Sequence, residues 1–500
     1  MIELPDEEFL RGQVLPEIID RMQNSRWYAE KGNGIPQYDV FDCLKAPEIG
    51  LVYWIIETRI EGYRPSLYSI PVLFSYTEPL VPDPLEFRIQ YLGKMIYVSD
   101  AIYSIEFWDY IRKNMLMRKR FSAMRGGSII MDSEPKAVRY LNEPVREVRP
   151  VGTEQSNSSV IINNSLIFKM IRKIAPGNNP DYDVPSFLWS STQFRETPEP
   201  VGKFTYLIEG RSYHIGSLSF YLSSATDMWK FLTGTFMELL INDGVRDSHE
   251  VVMNLLRTSS ELGVVTSALH SSLSHDTPLP DFKPSRIEES DISRWREEYL
   301  LTFKTFKKTW VLSDKYDEKE KWNRIVSDVM FDNIIEQHSM GIDALKGKLI
   351  HKIRIHGDYH LGQVLIKDGH YMIIDFEGEP LHTLDYRNSK FCPIKDVAGM
   401  LRSISYAVEY SIQQNARKES TVTFARNLLS EMRNEFLRGY LQAYDPGVPY
   451  LPPTFTDFQE ILQFYEIEKT VYEALYELSN RPHFLSIPMR SLARLFQNAE

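Results

Sequence analysis

Between about residues 48 and 105, apolar residues gather in runs of strand length, the plainest being Leu51-Val52-Tyr53-Trp54-Ile55-Ile56. Turn signals break these runs at Glu61-Gly62, Pro79 to Pro84 and Leu92-Gly93-Lys94. Another strand-like run covers Ser128-Ile129-Ile130-Met131, and Asn163-Asn164-Ser165 joins two apolar runs between Ser159 and Met170 as a hairpin. From about 217 the apolar period becomes helical, which predicts helices over 227–242, 248–273, 292–309 and 320–338. A short β insertion at 353–376 follows, and helices resume over 394–411, 422–444 and 456–480. The pattern predicts an α+β chain, β-rich before a boundary near 210–220 and mainly helical after it. It contains no internal repeat, no low-complexity segment and no long linker.

With 500 residues the chain exceeds one ordinary core, so two or three packed subdomains are expected. Its 43% hydrophobic and 25% charged residues predict folding throughout. The formal charge of −11 argues against a nucleic-acid partner, which needs a basic surface. Cys43 and Cys392, the only cysteines, lack metal-ligand spacing and point to a reducing compartment. The start, Met1-Ile2-Glu3-Leu4-Pro5-Asp6-Glu7-Glu8, is acidic and unlike a signal peptide, and no apolar run reaches membrane-spanning length. A cytoplasmic location with no membrane partner is expected.

Chemistry concentrates in the β insertion. Lys352-Ile353-Arg354-Ile355 leads into His356-Gly357-Asp358, and Gln363-Val364-Leu365-Ile366 is tied through Asp368-Gly369 to Tyr371-Met372-Ile373-Ile374-Asp375. A tight Asp-Gly hairpin brings Gln363 and Asp375 together at its base, with Asp358 on the loop just before. Asp358 precedes Gln363 by the five positions that separate the catalytic Asp from the metal-binding Asn in protein kinases. This suits phosphoryl transfer, with Asp358 as base and Gln363 and Asp375 as oxygen ligands for Mg2+. His356 and His360 stand four apart, but Gly357 replaces the Glu of a zinc hydrolase, so a buried His356 shaping the loop is preferred.

No Gly-x4-Gly-Lys-Ser/Thr loop exists to bind phosphates. The small hydroxyl-bearing segment from Gly152 through Gln155, Ser156, Asn157 and Ser158 to Ser159 is the candidate cradle, and Lys169 the candidate phosphate-contacting lysine. In the helix 461–480, Phe464, Ile467, Val471, Leu475 and Leu478 form a core stripe. Lys469, Tyr472, Glu473, Tyr476 and Glu477 fall on the other face, which suits a sugar but equally a solvated helix with paired charges.

Taken together, these segments resemble the aminoglycoside-phosphotransferase-like kinases, and among them the maltokinases. The similarity lies in Glu154–Val160, in Arg354–Leu365 with its Gly362-Gln363, and in Ile374-Asp375-Phe376-Glu377-Gly378-Glu379-Pro380. Pro393–Arg402, Lys469–Pro482 and the early Ser25–Gly32 also match. The resemblance implies a bilobal kinase-like fold: a cap over 1–105, a β-rich N-lobe over 106–217 and a helical C-lobe over 218–500. It implies ATP as phosphoryl donor, maltose as acceptor at its anomeric hydroxyl, and a place in α-glucan synthesis beside trehalose or α-glucan enzymes. It also places His356, Asp396, Arg402, Lys469, Tyr472, Glu473 and Glu477 on the sugar. Asp183 stands where the family carries the Glu that pairs with the phosphate lysine, and Ser219-Phe220-Tyr221-Leu222 lacks the family's Gln-Glu hinge. A kinase of glucosamine, an aminoglycoside or a choline-like alcohol is the nearest alternative, with Glu473 and Glu477 to meet a cation. A pseudokinase is disfavoured because Asp358, Gln363, Asp375 and Lys169 are all present.

Overall fold

The apolar run at Leu51 becomes a strand buried on both faces, because alternate side chains enter two different cores. The computed structural model describes residues 3–31, 34, 36–81, 83–151, 157–241, 249–313, 319–379, 382–415 and 418–497. The chain separates into two units, Met1–Ser190 with Pro198–Ser224, and Ser191–Thr197 with Ala225–Glu500.

Unit one is built on two antiparallel sheets. The first takes β1 (Gln37–Ala46), β2 (Leu51–Arg59), β3 (Ser66–Ser75), β4 (Phe87–Tyr91) and β5 (Lys94–Asp100) in the order β1-β2-β3-β5-β4. The second takes β6 (Arg120–Ser122), β7 (Ser128–Ser133), β8 (Val148–Pro150), β9 (Ser158–Ile162) and β10 (Leu166–Met170). After β11 (Lys173–Ile174), which pairs with β3, it is completed by β12 (Pro200–Ile208) and β13 (Arg211–Phe220). Its order is β6-β7-β12-β13-β10-β9-β8. Leu51, Tyr53 and Ile55 share a core with Val160, Phe168 and Phe204 of the second sheet. Val52, Trp54 and Ile56 face the core closed by Val14, Ile18 and Met22 of the N-terminal helical segment. The asparagine turn predicted between β9 and β10 is present, with Asn163 and Asn164 both at positive φ.

Within unit one, the early segment 25–31 is fastened by buried charge. Arg172, fully buried, ion-pairs with Asp100, donates to Ser158 Oγ at 2.9 Å and stacks over Trp27 at 5.0 Å. Glu30 accepts from Lys173 Nζ at 2.6 Å and from the Tyr68 hydroxyl.

Unit two is mainly helical, as the period predicts: Met228–Ile241, His249–Leu273, Glu289–Leu312, Ile394–Asn415, Glu419–Gln442, Phe455–Asn480 and Ser486–Gln497. The single helix expected over 320–338 is instead two, Lys319–Val326 and Val329–Ser339. Asp328 adopts an extended conformation there, and its carboxylate caps the second helix by accepting Met330 N–H at 2.8 Å. Phe464 stacks on Tyr299 at 4.9 Å and, with Ile467, Val471 and Leu478, is buried as the stripe requires. Glu477 is also buried, against expectation, because Tyr406 OH donates to it at 2.9 Å and Arg481 at 2.6 Å.

A small sheet carries the chemistry of unit two. After β14 (Thr226–Asp227), β15 (Ser285–Arg286) and β16 (His351–Lys352) come β17 (Val364–Lys367) and β18 (His370–Ile373), in the order β14-β17-β18. Lys367 pairs with His370, leaving a two-residue turn in which Asp368 and Gly369 have φ of 51° and 79°. Two positive φ values match the right-handed twist of the strands, which is why Asp-Gly sits here. Among the described residues, no helix is long and apolar enough to cross a membrane. Both cysteines are buried free thiols.

Candidate active site

In unit two, the β17–β18 register brings the base of the hairpin together as the sequence predicts. Ile374 N–H donates to Gln363 C=O at 2.9 Å, and Gln363 Nε2 donates to Asp375 Oδ2 at 3.0 Å. Asp375 is held at φ 63°, a left-handed conformation uncommon for a residue with a side chain and typical of constrained functional positions. Gln363 and Asp375 thus offer an amide oxygen and a carboxylate, the hard oxygen donors that magnesium prefers.

The loop before Gln363 is fixed mainly through its backbone. Asp396, 2% exposed, accepts His356 N–H at 2.7 Å and Gly357 N–H at 3.0 Å, and His270 Nε2 lies 3.2 Å from its Oδ2. Burial by itself raises the pKa of Asp396, but His270 and the loop amides outweigh it and hold the carboxyl below its ordinary range. Gly399, one turn along the same helix, lets that helix approach Tyr359, whose carbonyl oxygen would lie 2.7 Å from any added Cβ. The Tyr359 hydroxyl in turn meets Thr266 Oγ1 at 3.0 Å.

Asp358 is gripped by a cation. Lys469 Nζ donates to Asp358 Oδ1 at 3.1 Å and to Glu379 Oε1 at 2.5 Å, and lies 4.8 Å above the Tyr472 ring. Burial opposes the charge on Lys469, yet Glu379 and Asp358 raise its pKa. Glu379 is held low by Lys469 and His382 against its own burial. Burial lowers the pKa of His360, whose Nε2 is 3.9 Å from Asp358 Oδ2.

In unit one, Lys169 projects from β10 between Ser159 and Ser217, and its Nζ lies 3.2 Å from Asp181 Oδ2. The resemblance pointed to Asp183 as this lysine's carboxylate. Asp181, in the first turn of the helix Pro180–Ser191, stands at ion-pair distance from this lysine, and Asp183 Oδ1 lies 3.9 Å from Lys203 Nζ. Gln155 and Ser156 lie outside the described residues. Asn157 is half-buried just before β9, and the Ser158 hydroxyl is buried under Arg172.

Several expected sugar contacts have other duties. His356 is 1% exposed, with Nε2 donating to Ile374 C=O at 2.9 Å and Nδ1 accepting Asp358 N–H at 3.3 Å. Both ring nitrogens are engaged within the protein, and His356 shapes the loop. Asp396 likewise holds the loop. Arg402 binds Glu473 at 2.6 Å and Ser491 Oγ at 3.2 Å. Glu379 and Asp181 were not singled out from the sequence. The acid two residues after Glu377 was a signal for the first, whereas the second needed the unpredicted helix at Pro180.

No family model matches the chain. It is 23% identical over 358 residues to a glucosamine kinase of Streptacidiphilus jiangxiensis, covering 70% of this chain and 74% of that protein. It is 24% identical over 367 residues to a glucosamine kinase of Mycolicibacterium smegmatis, covering 71% and 81%. A solved glucosamine kinase in complex with glucosamine, ADP and inorganic phosphate superposes with a TM-score of 0.67 at 18% identity, over 99% of this chain and 100% of that one. A crystal form of glucosamine kinase gives 0.66 at 18% identity, covering 94% and 95%. The chain has the α+β kinase-like fold of these solved enzymes, β-rich in its N-terminal part and mainly helical in its C-terminal part.

Proposed function

We propose that this chain is an ATP-dependent kinase of an amino sugar, with glucosamine as its acceptor. The observation that carries phosphoryl transfer is the constellation on one loop and hairpin: Asp358, held at one oxygen by Lys469, followed by the Gln363–Asp375 pair. The acceptor rests on the curated relatives and the solved structure, all named glucosamine kinases.

In this reading the acceptor hydroxyl passes its proton to Asp358 Oδ2, the oxygen Lys469 does not engage. Lys469 orients the carboxylate, and Glu379 orients Lys469. Lys169, fixed by Asp181, contacts the nucleotide phosphates, with the segment from Gln155 to Asn157 as their cradle. Gln363 and Asp375 would hold magnesium, which would supply neutralisation of charge on the phosphates.

A second reading, maltose phosphorylated at its anomeric hydroxyl, is favoured by one observation. Glu473 and Glu477, the carboxylates expected to meet an amine, are already engaged by Arg402 and by Tyr406 and Arg481. A neutral sugar needs no carboxylate to balance its charge.

Incubation of the purified chain with Mg-ATP and, separately, glucosamine, maltose, glucose and an aminoglycoside, with ADP release and phosphorus NMR as readouts, decides between them. Rapid phosphorylation of glucosamine, abolished in Asp358→Asn, is expected. Turnover of maltose with glucosamine left untouched overturns the amino-sugar reading.

A further inference from the structure

Within unit two, away from the Asp358 loop, a cavity of about 380 Å³ is lined by Arg402, Arg426, Arg433 and Arg494 together with Ser430 and Ser491. Its size falls within the ~300–1,000 Å³ of small-ligand pockets. Arg433 is answered by Glu466 at 2.8 Å and Arg402 by Glu473 at 2.6 Å. Glu409, 3% exposed, is shared by three guanidiniums: Arg426 at 3.0 Å, Arg494 at 2.8 Å and Arg490 at 3.9 Å. One carboxylate cancels one charge. Against the four arginines of the lining stand Glu409, Glu466 and Glu473, so one positive charge of the lining goes unmatched at ion-pair distance among the described residues; Arg490, which shares Glu409 from outside the lining, adds a second, and Glu419 exerts a more distant attraction on Arg426. This local excess stands in a chain of net charge −11.

We propose that the cavity is a second ligand site, for a small molecule carrying a phosphate dianion. The charge of such a group equals the excess of the lining together with Arg490, and guanidinium forks with serine hydroxyls are the donors that phosphate takes. Arg494 spends only Nη2 on Glu409, so its other N–H groups are available to an anion. The ligand's source is either free phosphate or a sugar phosphate ester, which present the same dianion. Arg402 lines the cavity and also holds Glu473, so occupancy reaches the helix Phe455–Asn480 that carries Lys469. The site does not depend on which sugar is the acceptor.

Calorimetric titration of the full chain, without nucleotide, with inorganic phosphate and separately with glucose 6-phosphate tests the site. Saturable binding of at least one is expected, weakened at least tenfold in Arg426→Gln/Arg494→Gln and preserved in Lys169→Met. Tighter binding of the ester shows that the cavity also takes the sugar, and equal binding shows that it reads the dianion alone. Arg494→Gln, at a half-exposed side chain, repeats the test with little cost to folding. Glu409→Gln removes a competitor for the arginines and is expected to tighten binding. Absence of binding by both ligands, unchanged affinity in the arginine variants, or loss of binding in Lys169→Met overturns the proposal.

Discussion

Two lysines, one in each unit, show how differently a cation can be used. Lys169 in the β-rich unit faces Asp181 at 3.2 Å, whereas Lys469 in the helical unit is clamped between Asp358 and Glu379. Lys469 is therefore outnumbered by acids, and its charge serves to hold a carboxylate. Lys169 sits across two serine-bearing strands, with Asp181 at ion-pair distance, in a position that suits a lysine reaching for phosphate. The same residue type thus orients a base in one unit and is proposed to bind a ligand in the other.

Removing the clamp is the strongest way to break this contrast. Lys469→Met removes the cation that joins Glu379 to Asp358 and is expected to destabilise the chain by about 3 kcal/mol in urea unfolding. That is the low end for a buried pair, because a fifth of the lysine side chain reaches water. The pH dependence has a definite sign. Glu379 has its pKa lowered below 4.5 and Lys469 has its raised above 10.5, so the pair stabilises fully between those values. Its contribution is lost as pH falls below the first or rises past the second. A Lys469→Met chain as stable as the parent at pH 7 would show that the clamp does not matter.

Lys169→Met is expected to act on turnover, lowering kcat by roughly 10²–10³, the usual cost of losing one electrostatic donor. Urea unfolding should change by less than for Lys469→Met. An equal loss of stability in the two variants erases the distinction between them.

Next in size is an acid response confined to unit one. Burial, reinforced by Lys203 and Lys169, pushes His214 from 6.5 down to about 3. The unfolded chain takes up this proton near 6.5 and the folded chain does not, so stability falls on acidification by about 1.4 kcal/mol per pH unit over that window. His214→Gln, which retains a polar group toward Ser217, should flatten the melting temperature between pH 6.5 and about 5. Parallel curves for the two proteins would assign the acid response elsewhere.

The smallest expected effect is at the hairpin turn. Gly369→Ala places a side chain at φ 79° and should cost about 1 kcal/mol. A shift in the magnesium dependence of turnover would show that the turn also sets the spacing of Gln363 and Asp375.

Local signals read true where the physics is local. The Asp368-Gly369 turn fixed the register that joins Gln363 to Asp375, and the helical period located most helices of unit two within a few residues. The break at Ser327-Asp328 was missed because Asp328 caps a new helix inside an unbroken apolar pattern. Face assignments along Phe455–Asn480 failed at Glu477 because Tyr406 and Arg481, from outside the stripe, satisfy a buried acid.

By itself, the sequence determined an α+β chain, the hairpin and its three polar residues, because strand period, turn chemistry and short-range spacing depend only on neighbours. Tertiary structure alone decided which charges meet. Lys469 reaches Asp358 across 111 positions, Asp396 reaches the His356 amide across 40, and Asp181 comes to ion-pair distance of Lys169. Those partners are chosen by the packing of distant helices and strands. Desolvated charge must find a counter-charge wherever the fold supplies one, and no spacing in the chain announces where that will be.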